Sequence, residues 1–285
     1  MKFDPTHQSN DVDDERGRGG GPALGGGGLG LLIGLLLRVR YGWVILLVLG
    51  VGYVGYRVWG GGGGTSNLSD QNAPSAQLAP SDTDAHFVAF VLDDAQDFWD
   101  KYFKTRSGSY RHAKLTLFSN SIRTGCGAGD SATGPFYCPD DEHVYIDLAF
   151  FRVMSERLGA NGQFARAYVI AHEIGHHVQK VSGETVGGGK GAQGNSVRTE
   201  LQADCYAGIW ARSADARGLL EKGDLDSALN AASRIGDDVL QKEETGHVRP
   251  ESFTHGTAEQ RKRWLQKGYM SGDLHQCDTF HGAAL

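Results

Sequence analysis

The chain has no surplus of positive charge. Its 28 Lys+Arg stand against 34 Asp+Glu, a formal net charge of −6, and residues 60–285 carry 22 against 29. That balance excludes nucleic acid as a partner and leaves no polybasic surface for lipid. Cysteine is sparse, with four in 285 residues and no C-x2-C spacing, which argues against a zinc–thiolate site. No internal repeat is visible. Apolar residues are too few in 1–40 to build a core, and that Gly-rich stretch is expected to be a disordered cytoplasmic tail. The 42 glycines cluster at 17–30, 60–64 and 187–194, which read as flexible links.

Long apolar runs are also lacking. The clearest, Tyr41–Tyr56, holds 16 uncharged residues between Arg40 and Arg57. It is short for a span but workable if both arginines snorkel. Trp43, Tyr56 and Trp59 would sit at the interfaces, and Arg16, Arg18, Arg38 and Arg40 would hold the N-terminus in the cytoplasm. No A-x-A-like site follows, so a retained anchor is expected rather than a cleaved signal peptide. Leu29–Leu37 would lengthen the membrane contact. The expected organisation is a tail at 1–40, a single transmembrane helix at 41–59, a flexible linker at 60–83 and one domain at 84–285. That domain would lie in the periplasm or at the cell exterior.

The four cysteines all fall in the exported part. Cys126 and Cys138 bracket a Gly-rich loop, and Cys205 could pair with Cys277. An even count there fits two disulfides in an oxidising space, although spacing does not fix the connectivity.

What the chain does have is His172-Glu173-Ile174-Gly175-His176, an H-E-x-x-H pattern inside the apolar run 164–179. On a helix, residues four apart lie about 40° apart in projection, so both imidazoles face one point. Two such nitrogens are half of a zinc site. Glu173 projects close by, where a general base must sit to deprotonate a metal-activated water. The pattern points to metal-assisted hydrolysis, of peptide bonds above all.

Downstream, the helical pattern 196–211 carries Glu200 and Asp204 on one face. A carboxylate from Glu200 completes a His2Glu set and leaves a fourth position for water. Asp204 can take the outward N–H of a ligating imidazole, fixing its tautomer.

H-E-x-x-H followed by E-x-x-x-D resembles the gluzincin metallopeptidases. The strings Gly134–Pro139, Val144–Leu148, Ala167–Gln179, Glu200–Cys205 and Ser252–Thr257 are similar to the bacterial neutral zinc metallopeptidases of the YpfJ type. The resemblance covers residues 84–285, together with a charged, Gly-rich, membrane-anchored N-terminus. It implies one Zn2+ held by His172, His176 and Glu200, a protein or peptide substrate, and a distal His or Tyr to stabilise the oxyanion. His255, by its position after the ligand helix, is the candidate for that role. The alternative is a loop residue before a helix, since Thr257 and Gln260 make a capping box for 258–268. Tyr145 is a weaker candidate. It lies in the strand-like Val144–Leu148, which could be the edge along which substrate lies. His177 lies about 140° from His172 around the helix, so a structural role is expected.

The apolar spacing predicts helices at 84–103, 149–158, 163–181 (ended by Gly183), 197–213, 225–241 and 258–268, and short strands at 115–118 and 144–148. Residues 183–195 would be a mobile loop beside the site, gating substrate entry. The expected fold is α+β, a mainly helical zincin-like domain with a small sheet. Two other functions fit less well. One is a non-catalytic zinc-stabilised envelope binding domain, which would need no Glu173. The other is a zinc amidase acting on cell-wall peptides, which would use the same water chemistry.

Overall fold

The computed structural model describes residues 1–17, 78–184, 188–281 and 285. The expected span at 41–59 lies outside these residues, as does most of the expected linker. Among the described residues no helix is long and apolar enough to cross a membrane. The architecture is α+β and mainly helical, with a four-stranded sheet and a separate two-stranded hairpin.

The first helix, α1 (Thr83–Lys104), starts where the Asp82 side chain accepts the Ala85 N–H, satisfying one of the donors that a helix start leaves free. Its buried stripe is Phe87, Val91, Ala95 and Trp99. Against it lies a sheet built from β1 (Val12–Asp14), β2 (Lys114–Leu117), β5 (Phe136–Cys138) and β6 (His143–Ile146), in the order β1-β2-β6-β5. β1, β2 and β6 run parallel; β5 is antiparallel to β6. Leu115, Leu117, Val144 and Ile146 are fully buried, each contributing about 1.5–3 kcal/mol against exposure. β3 (Ser121–Thr124) and β4 (Gly127–Asp130) form the hairpin. The strand 144–148 could have been a substrate edge, but β6 is interior. Among the described residues the edges are β1 and β5, and β5 pairs only with β6.

Residues 1–17 are not the expected disordered tail. Asp11 O and Leu117 O accept the N–H groups of Leu115 and Glu15. Met1 and Val12 are buried, and the Phe3 ring meets Phe87 edge-on at 5.1 Å. Arg16 pairs with Asp14 and Asp82, and Gln8 exchanges two hydrogen bonds with the backbone of Leu78. The arm docks mainly through backbone and polar groups. Its composition therefore gives no sign of a buried segment.

The helical part is α2 (Ala149–Glu156), α3 (Gln163–Ser182), α4 (Asn195–Ala216), α5 (Asp224–Arg234), α6 (Asp237–Thr245) and α7 (Ala258–Ser271). The helix expected at 225–241 is two helices. Gly236 is extended (ψ 141°), and Asp237 turns to receive the backbone of 254–256. α3 ends as expected, with Gly183 in the left-handed region at φ 73°. α4 and α7 approach so closely that a Cβ on Gly208 would meet Leu265 O at 2.1 Å, and one on Gly268 would meet Cys205 O at 1.9 Å. The Thr257–Gln260 capping box opens α7. Two disulfides are present. Cys126–Cys138 staples the β3–β4 hairpin to the end of β5, and Cys205–Cys277 ties α4 to the C-terminal segment.

Candidate metal centre and cleft

α3 carries His172, Glu173 and His176, and it is buried almost all round. Gly175 makes this possible. A Cβ there would meet Ala203 O at 2.8 Å, so glycine lets α3 lie directly on α4. That contact brings Glu200 to the two histidines. His172 Nε2 is 3.1 Å from Glu200 Oε2, and His176 Nε2 is 3.5 Å from Glu200 Oε1. One ligand atom from each of the three residues lies within 4.8 Å of the others.

These groups fit zinc. Ligand atoms about 2.0–2.1 Å from a tetrahedral ion stand about 3.3 Å apart, and each imidazole Nε2 lies near that distance from one oxygen of Glu200. The tautomers fit as well. His172 Nδ1 is 2.8 Å from Asp204 Oδ1, and His176 Nδ1 is 2.9 Å from Gln179 Oε1. Each acceptor draws the proton to Nδ1 and leaves the Nε2 lone pair facing the common point.

Asp204 is fully buried and saturated with donors. Tyr168 donates its hydroxyl at 2.5 Å, and Arg261 donates Nε and Nη2 at 2.9 and 3.0 Å. Burial opposes its charge, but Arg261 and His172 outweigh it and the pKa drops to about 2. Burial likewise opposes a charged His172, yet Asp204 and Glu200 push its pKa up to about 10. Glu200 is held well below the carboxylate range, as His176 and His172 overcome its burial. Without metal the centre is thus a proton-loaded cluster. Gln179 is fixed by donating to Thr199 O and Gln202 Oε1, both at 2.8 Å.

The trio opens into a cleft of about 490 Å3. Glu173, His255 and Arg261 line it, as do Pro135, Phe136 and Tyr137 at β5. His255 is half-exposed, with Nδ1 2.9 Å from Thr254 Oγ1 and 3.3 Å from Asp237 Oδ1. Asp237 Oδ2 accepts the N–H groups of Thr254, His255 and Gly256, so one carboxylate shapes the loop that presents His255. Tyr145 is elsewhere: its hydroxyl donates to Asp141 at 2.8 Å and its ring stacks on Phe136. Of the loop expected to gate the site, residues 185–187 lie outside those described. Residues 191 and 192 donate to Phe253 O and Pro250 O.

Sequence reasoning missed Gln179, Tyr168, Arg261 and Asp237. Gln179 had a signal, three residues after His176 on the same helix. Arg261 had none, because its partner Asp204 is 57 residues away.

Residues 1–280 match the protein family described as "Putative neutral zinc metallopeptidase". The chain is 44% identical over 289 aligned positions to "Uncharacterized protein YpfJ" of Escherichia coli (strain K12), covering 98% of this chain and 99% of that protein. It is 42% identical over 233 positions to "Uncharacterized protein Rv2575" of Mycobacterium tuberculosis (strain ATCC 25618 / H37Rv), covering 76% and 80%. No solved structure matches.

Proposed function

The chain belongs to the neutral zinc metallopeptidase family, and from that premise we propose that it hydrolyses peptide bonds at the His172–His176–Glu200 centre. The convergence of those three ligand atoms within 4.8 Å, beside a buried Glu173 on the same cleft, carries the reading. Zn2+, when bound there, supplies a Lewis acid that brings the pKa of water toward neutrality and polarises the scissile carbonyl.

The rest is done by side chains. Glu173 takes a proton from the attacking water and passes it to the leaving amine. Asp204 and Gln179 hold His172 and His176 in one tautomer and orientation, so the centre needs no rearrangement to receive the ion. His255, braced by Asp237, stabilises the oxyanion of the tetrahedral intermediate. The substrate backbone pairs with the open edge of β5, which puts an extended peptide along the cleft wall.

The test is hydrolysis of casein by the zinc-loaded chain beside Glu173→Gln. The variant keeps zinc and loses at least about a hundredfold in rate. Cleavage by the variant at the wild-type rate would remove Glu173 as the base.

A further inference from the structure

His177 follows a proposed zinc ligand directly, but its ring nitrogens meet Tyr137 and Arg111 and not the His172–His176–Glu200 centre. It is fully buried. Its Nε2 lies 2.7 Å from the backbone oxygen of Arg111. A carbonyl only accepts, so Nε2 carries the proton. Its Nδ1, 2.9 Å from the Tyr137 hydroxyl, is then a lone pair and accepts from Tyr137 when the ring is uncharged. Tyr110 packs its ring edge against the imidazole at 5.4 Å. One side chain thus joins three elements: α3, the chain entering β2, and the middle of β5.

At its centre β5 is otherwise held by its pairing with β6 and by the packing of Tyr137 on the core. It is three residues long, pairs with β6 alone among the described residues, and is stapled by disulfide only at its last residue, Cys138. Tyr137 is its middle residue and lines the cleft. The neighbouring ring on α3, His176, belongs to the metal centre. The Tyr137–His177 hydrogen bond therefore connects the strand edge to the metal-site helix one residue away from the centre itself.

We propose that His177 is a positioning residue that sets the offset between the β5 edge and the His172–His176–Glu200 centre, and so governs how well an extended peptide is held. This rests on the peptidase reading above. When β5 is less firmly held, an extended peptide on it is held less well, and the loss falls on binding because every group that acts on the reacting atoms stays in place. It also commits the Tyr137 hydroxyl to His177, so Tyr137 is a wall of the cleft and not a donor to substrate.

The experiment uses the zinc-loaded full chain and fluorescein-labelled casein, with KM and kcat measured separately and zinc content determined for each variant. Tyr137→Phe and His177→Gln remove the hydrogen bond in different ways. Gln keeps a donor for Arg111 O but offers nothing at the Nδ1 position. Each raises KM about fivefold, the worth of one hydrogen bond, with kcat within about twofold and zinc retained. His177→Asn puts an acceptor where Nδ1 stood and restores KM towards the wild-type value. An unchanged KM in Tyr137→Phe, or a fall confined to kcat, would overturn the proposal while leaving the peptidase reading intact. A wild-type chain that cleaves no casein would overturn both.

Discussion

At the residue scale, the metal centre is a set of charges that burial opposes and neighbours sustain. His172, raised from 6.5 to about 10 by Asp204 and Glu200 against its burial, gives the metal-free chain stability that is complete below pH 6.5 and lost as pH rises towards 10. Glu200 and Asp204 act in the opposite sense. Their lowered values give stability present above pH 4.5 and 3.8, lost as pH falls, for Asp204 through about 2. The chelated chain therefore melts at progressively lower temperature between pH 6.5 and 10. With zinc bound, both imidazoles are held neutral, so that alkaline decline disappears and zinc uptake releases protons. Melting curves across that range, with chelator and with zinc, check this. A chelated chain with flat or rising Tm would contradict it. Glu200→Ala lowers the zinc content of the purified chain, and metal analysis showing full retention would move the third ligand elsewhere.

At the element scale, the two helices that form the centre could be read from spacing. His172 and His176, and Glu200 and Asp204, are each four apart on long periodic segments, where sequence patterns carry most information. The capping box at Thr257 and the stop at Gly183 were readable for the same reason, since each is a local device. β5 was not readable as a strand. Three residues give no period, and its place as an edge depends on β6, which pairs on both sides. The break at Gly236 was hidden because Ile235 and Leu240 keep the apolar spacing of one continuous helix, while its cause, the docking of Asp237 on residues 254–256, lies in tertiary structure. Gly175 shows how tightly element packing and chemistry are linked. In Gly175→Ala, the new Cβ meets the backbone of Ala203 at 2.8–3.0 Å, atoms that cannot rotate away. The expected cost is about 1–3 kcal/mol with weaker zinc retention, since α4 must move and carry Glu200 with it. Urea unfolding and metal analysis measure the two effects, and a fully stable, fully loaded variant would refute the packing argument.

At the scale of the whole molecule, β1 has a consequence that reaches past the fold. Its hydrogen bonds to β2, the Arg16–Asp82 ion pair and the Gln8–Leu78 bonds bring together the two ends of residues 18–77. Strands that share hydrogen bonds share a solvent. An N-terminus in the cytoplasm with the metal centre outside it would set β1 and β2 on opposite faces of a bilayer, which their pairing forbids. With β1 docked on β2, residues 1–17 and the metal centre lie on the same side of any membrane. Compartment-sensitive reporters fused at residue 1 and at residue 285 of the full chain should therefore agree. Opposite readings would mean that β1 is undocked in the cell. A parallel strand pair thus ties the side of residue 1 to the side of the metal centre.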